Sequence, residues 1–271
     1  MSSLFNDAAQ IWVNNITVDL RRYIIFAVAV WLALWVALKG VLRLRKIRGE
    51  TPPARQLAQE FVYSVRSIAI FSTVGVTITY LDRLGAYPLA QRAATWGPAW
   101  FWTSLIAMIV AHDAYVYWTH RWMHHPKLFR RFHRRHHRSH NPSPFTAYSW
   151  DIPEALVNVA FVVLWPLVAP TPWPVIGFFM LHQIFRNTLL HSGYELMPAR
   201  ADGRPWFDWL TTTTHHDLHH GQAGWNYAPW FTWWDRWMGT EHPDYHARYA
   251  ATARRPLLVG PPQRPEGLEA R

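Results

Sequence analysis

The chain has 271 residues, half of them apolar, with 18 Trp, no Cys and a formal net charge of +10. Without cysteine, disulfides, thiolate metal sites and cysteine nucleophiles are excluded. The positive charge would suit nucleic acid or an anionic membrane surface, and long apolar runs flanked by basic loops select the membrane and exclude nucleic acid.

The first element is Tyr23–Leu42, twenty residues with one charge, Lys39, near its end. That length crosses a bilayer core. The run starts too far in, and lacks the small-residue site, to be a cleaved signal peptide, so it is expected to stay as an anchor. RLRKIRGETPPAR follows, with five basic residues in thirteen, which places this loop on the cytoplasmic side. A second span, Phe61–Leu81, carries only Arg66. A third, Ala99–Trp118, is broken by His112 and Asp113. Between Glu154 and His182 an apolar stretch is interrupted by APTPWP, 169–174. Its flanking pieces are too short to span separately, and the prolines break a helix, so it reads as a hairpin that dips in and returns.

The fold class that follows is all-α: an integral membrane helical bundle of about four membrane helices, capped by a cytosolic histidine-rich helical domain. Three regions are expected: membrane helices over 1–95, a di-metal domain over 96–245, and a Pro- and Arg-rich tail over 246–271, disordered from about Arg254. Only three of the 27 basic residues are Lys. An Arg-, Ala-, Pro- and Trp-rich composition points to a GC-rich bacterial genome, hence an inner membrane with the histidines on its cytoplasmic side.

The chemistry lies in three histidine sets. His120 and His124 are four apart on one helix face. Pro126 then breaks the helix. His133, His136 and His137 follow at i, i+3, i+4, and His216, His219 and His220 in THHDLHH repeat that spacing. A basic headgroup-binding face would need only Lys and Arg, whereas imidazole suits transition metals. One metal takes about four protein ligands, so this many imidazoles implies two metals. Asn187 and His191 share a helix face and could close the site, and His182 is a possible further ligand. Metal-bound imidazole usually donates its second N–H to a carboxylate or carbonyl. Asp113, two turns before His120, is expected in that role, and so is Asp217. His112, His125, His140, His215, His242 and His246 lack the spacing and are left out.

HDAYVYWTHRWMHHPKLFRRFHRRHH, then TTTTHHDLHHGQAGWNYAPWFTWWDRWMGT, resembles the fatty acid hydroxylase/sterol desaturase superfamily of integral membrane di-iron enzymes. The resemblance covers roughly 111–240 and includes HSG at 191–193 and WDRxxGT at 234–240. It implies oxygen-dependent hydroxylation or desaturation of a sterol or acyl lipid. Two Fe2+ would be held by His120, His124, His133, His136, His137, His191, His216, His219 and His220. Asn187 stands where some relatives have a further histidine, which implies a weaker or water-mediated ligand. The family's NYG reads Asn226-Tyr227-Ala228 here, which questions the local turn. SPFTAYS, 143–149, resembles the sterol C-5 desaturase branch without assigning a substrate. The residues before the first span are too few for a cytochrome-b5-like domain, so a ferredoxin or other reductase system would supply electrons, with O2, the lipid substrate and membrane lipids as the other partners. The alternative is a non-enzymatic membrane metal- or haem-binding protein; a zinc hydrolase would want a carboxylate base.

Overall fold

A computed structural model describes residues 2–259. Among them there are helices and isolated bridges but no named strand. The helices are α1 (Ser3–Ala37, with π turns at Ile24–Val28 and Leu32–Ala37), α2 (Ala54–Arg83), α3 (Pro88–Ala93), α4 (Gly97–Met123), α5 (Pro126–Phe132), α6 (Arg134–His137), α7 (Ile152–Val168), α8 (Trp173–Leu190), α9 (Thr213–Gly221), α10 (Trp233–Trp237) and α11 (Tyr245–Ala253). By length and composition α1, α2 and α4 can each cross a membrane.

α1 and α2 are antiparallel. Tyr80 Oη donates to Asp7 at 2.8 Å and Arg83 pairs with the same carboxylate, tying the start of α1 to the end of α2. Midway, Gly75 lets the helices close up, since a Cβ there would lie 2.6 Å from Asn15 Nδ2. The first span begins well before Tyr23 because residues 3–22 continue the helix with Trp12 against Thr73.

The hairpin reaches deeper than its sequence suggests. α7 and α8 have 17 and 18 residues, so each arm is about 26 Å long at 1.5 Å per residue. Their connecting turn meets the start of α4, where Trp100 Nε1 donates to Pro170 O at 2.8 Å. Tyr87 Oη donates to Val163 O nearby. The hairpin therefore runs the depth of α4. Apolar counting missed this because α8 continues through Gln183, Arg186 and Asn187, whose polar atoms turn inward to Tyr148, Thr211 and Ala147 O.

The tail also begins later than expected. Residues 245–253 form α11, whose Tyr245, Tyr249 and Ala253 recur every four residues and pack on Met197 and Leu218. The expected boundary at 246 thus cuts a helix, and residues 260–271 lie outside the described residues.

Candidate metal centre

All three histidine sets gather at the end of the bundle where α4 and α8 finish. His120 sits in the last turn of α4 and His124 caps it. Pro126 then starts α5, as the sequence predicts. The second set is not one continuous helix face. His133 occupies the break between α5 and α6, with φ −135°, and α6 holds only Arg134–His137. α9 carries the third set; the Thr212 hydroxyl accepts from His215 N at its start, and Thr214 donates twice to Glu195. His191 caps α8. Gly193 after it has φ +75° and faces Trp35 Cζ2, 2.9 Å from where a Cβ would be, which explains the glycine of HSG.

The nine imidazoles form two groups. His120, His124, His133, His137 and His219 make one; His136, His191, His216 and His220 make the other, and the ligand atoms of each lie within 4.8 Å of one another. Neighbours in sequence part company: His136 and His137 go to different groups, as do His219 and His220. In the four-histidine group His191 Nε2 lies 3.0 Å from His216 Nε2, 3.1 Å from His220 Nε2 and 3.3 Å from His136 Nε2. In the other, His120 and His133 Nε2 are 2.8 Å apart and His137 and His219 Nε2 are 3.0 Å apart.

These separations fit a metal. Imidazole nitrogens about 2.1 Å from one ion, at angles between octahedral and tetrahedral, lie roughly 3.0 to 3.4 Å from each other. The tautomers of three rings fit one too. Backbone carbonyls take the Nδ1 proton of three rings: His120 to Tyr227 O at 2.8 Å, His219 to Trp225 O at 2.6 Å and His191 to Asn187 O at 2.7 Å. Each of those rings turns a bare Nε2 lone pair toward other Nε2 atoms, an arrangement that a cation between them stabilises. Burial pushes His136, His216, His219 and His220 well below the ordinary imidazole range, and His191 down to about 4. The rings are therefore neutral at pH 7, the form that binds metal.

Neither expected carboxylate supports a ligand. Asp113 Oδ1 accepts from Trp230 N at 2.8 Å and Phe231 N at 3.1 Å, pinning the loop after the third set to α4. Asp217 points off the back of α9 to Arg48 Nε, 2.7 Å away. The carboxyl group that lies nearest a ligand ring is that of Glu154, whose Oε1 is 2.7 Å from His133 Nδ1 with both side chains 2% exposed. It had the same signal as Asp113, a carboxylate inside an apolar run. Asp235, the acid of WDRxxGT, acts one step further out. It accepts from Tyr227 N, Ala228 N and Thr240 Oγ1 at 2.8 to 2.9 Å, fixing the carbonyl that orients His120.

His182 lies outside both groups, its ring 5.3 Å from Trp230. Asn187 donates its amide to Ala147 O and lines the cavity beside His191. The left-out histidines stay out of both groups: His112 accepts from Trp230 Nε1, His125 caps α5, His215 faces Asp235, His242 meets Gln222, His246 meets Asp208, and His140 is exposed. The Ala in Asn226-Tyr227-Ala228 causes no strain, because the left-handed residue of that turn is Asn226, φ 58°. Asn226 donates to His215 O and accepts from His242 N.

Replacing Asp113 with Ala is expected to lower thermal stability by about 2 kcal/mol or more, since two buried N–H groups lose their acceptor. Asp217→Asn is expected to leave metal content unchanged. Thermal unfolding and elemental analysis of the two variants check both.

A family model described as Fatty acid hydroxylase matches residues 105–240, which contain every histidine of both groups. The chain belongs to the fatty acid hydroxylase family. It is 27% identical over 192 residues to lathosterol oxidase of Mus musculus, covering 69% of this chain and 62% of that protein. It is 30% identical over 156 residues to methylsterol monooxygenase 1 of Rattus norvegicus, covering 55% and 50%. Cholesterol 25-hydroxylase of the same species is 34% identical over 129 residues, covering 44% and 40%. The chain thus spans about 40 to 62% of these relatives' length. No solved structure matches it significantly.

Proposed function

We propose that the protein is a membrane-bound di-iron oxygenase that hydroxylates or desaturates a lipid, sterol-like or fatty-acyl, with O2 and electrons from an external donor such as a ferredoxin or other reductase system. The observation that carries this is the pair of convergent imidazole groups at the end of a cavity running into the bundle. His120, His133, His136, His191 and His216 line one end. A second cavity shares His112, Trp150, Asn158 and Gln183 with the first and continues between Phe71, Val159, Val162, Phe179 and Met180. When bound, the iron pair supplies the dioxygen chemistry that removes hydrogen from an unactivated C–H bond. The histidines hold it; the carbonyls of Tyr227, Trp225 and Asn187, with Glu154, fix their rings; and Val116, Met123 and Trp150 exclude water beside them.

The cavities also narrow the substrate. No lysine or arginine lines either one. At the end away from the histidine groups a carboxylate head would be buried without a counter-ion, which is costly, whereas His112, Asn158 and Gln183 can meet a hydroxyl or carbonyl there. The substrate is therefore a neutral lipid. With iron-loaded protein and a reducing system, a sterol or other lipid alcohol is expected to be turned over at least about tenfold faster than a free fatty acid, equivalent to ~1.4 kcal/mol. Equal turnover of the acid would contradict this substrate class, and no oxidised product from any lipid would contradict the reaction. The basic loop 43–55 packs on the histidine domain through Arg48–Asp217 and the Lys46–Tyr194 bridge. By the excess of positive charge in cytoplasmic loops, this packing supports a metal centre at the cytoplasmic face.

A further inference from the structure

The outward side of α4 is mostly apolar between Trp102 and Trp118, with Arg121 exposed beside Trp122 at the histidine end. Trp102, Ile106, Val110, Trp118 and Trp122 are each 40 to 62% exposed. From 102 to 122 the helix rises about 30 Å, the thickness of a bilayer core, with Trp at both ends as at the two interfaces of a membrane.

A non-spanning segment lies against α4 inside that depth. Phe231 and Trp230 pack with Ile109, Asp113 holds the backbone of both, and Trp234 lies 5.8 Å from Trp118. The α10 region therefore sits beside the stretch Ile109–Trp118, the histidine-side half of the apolar face. From there an aromatic series continues outward: Trp234 to Trp237 at 5.5 Å, Trp237 to Trp233 at 6.3 Å, Trp233 to Trp209 at 6.3 Å and Trp209 to Phe207 at 6.3 Å. Trp209 and Trp237 of this series are open, 46% and 65% exposed, as is the neighbouring Trp206 at 60%.

We propose that this aromatic face, formed by residues 206–209 and α10, is embedded in the headgroup and upper acyl layer of the bilayer on the histidine side. Continuity with the lipid-facing stripe of α4 selects lipid as the occupant. Part of the irregular backbone is satisfied internally, with Trp206 N donating to Pro198 O, Leu210 N to Phe207 O and Thr232 N to Trp209 O, and the headgroup layer, unlike the hydrocarbon core, still offers water to the remaining N–H groups. The charged residues between the rings are paired, Arg236 with both Asp208 and Glu241 at 2.9 Å. Pro229 and Trp230, which line the cavity, lie on the inner side of this face. The proposal goes beyond the enzymatic reading and holds whether or not the chain oxidises a lipid.

The chain has no cysteine, so single sites can be spin-labelled without background. Trp206→Cys and Trp237→Cys would be labelled in phosphatidylcholine vesicles and their collisions with O2, which partitions into the bilayer, compared with those of a water-soluble nickel chelate. Ile106→Cys serves as the lipid-facing reference and Arg248→Cys as the aqueous one. At both test sites O2 collisions are expected to exceed nickel collisions, as at Ile106. A profile matching Arg248 would overturn the proposal. Low collision with both reagents would overturn it equally, showing a face covered by protein such as a second copy. Unfolding temperatures matching the unsubstituted protein establish that labelled variants are folded, and two sites on separate segments keep the test open if one variant fails that check.

Discussion

Replacing His136 with Ala is expected to abolish product and to lower iron from about two to about one per chain, because three imidazoles remain where a metal centre takes about four protein ligands. His136 belongs to the four-histidine group, where its Nε2 lies 3.3 Å from that of His191. The contrasting variant is His124→Ala. His124 is one of five in the other group and the least buried of the nine. Its loss leaves four donors, so iron retention there is expected to be close to that of the unsubstituted protein. Elemental analysis of both variants, purified alongside the parent, checks the difference. Equal iron in His136→Ala and the parent would remove His136 from the ligand set, and with it the division of the nine histidines into five and four.

The second large effect is expected at Glu154. Its carboxyl group is buried against His133 Nδ1, where with metal bound it would compensate part of the charge of a centre built otherwise from neutral ligands. Glu154→Leu removes the partner and the charge together, and metal affinity is expected to fall about 10- to 100-fold. Glu154→Gln keeps an oxygen that can accept from Nδ1, so its loss is expected at the lower end of that range. Iron retention against a graded chelator measures both. A merely structural role would lower the unfolding temperature of the two variants without shifting the chelator midpoint, and that outcome would rule out support of His133.

Much of the site was legible because imidazoles at i, i+3 and i+4 have few other uses in an apolar chain. The nine histidines marked by spacing and by family pattern are the nine that meet. Their division into two groups was not legible. Periodicity places His133, His136 and His137 on one face, but the chain breaks at His133, and adjacent rings in α6 and α9 diverge to separate centres. That depends on how four segments distant in sequence dock. The supporting residues were misassigned for a related reason. Asp113 and Glu154 are both carboxylates in apolar helices, and only packing decides that one faces two backbone N–H groups and the other an imidazole. Backbone carbonyls such as Tyr227 O and Trp225 O carry no sequence signal at all. The three long spans were read from composition alone, whereas the depth of the hairpin was hidden by polar residues of α8 that turn inward.

What the two imidazole groups hold decides the chemistry of the site. Detergent-purified protein should be measured for metal content by elemental analysis, with an optical spectrum on the same sample. The expected result is about two iron per chain and no Soret band, since haem takes only one or two axial histidines, whereas four or five imidazoles converging on one point leave no plane for a porphyrin. A Soret band, or a folded sample that takes up no metal even after iron reconstitution, would contradict a di-iron centre.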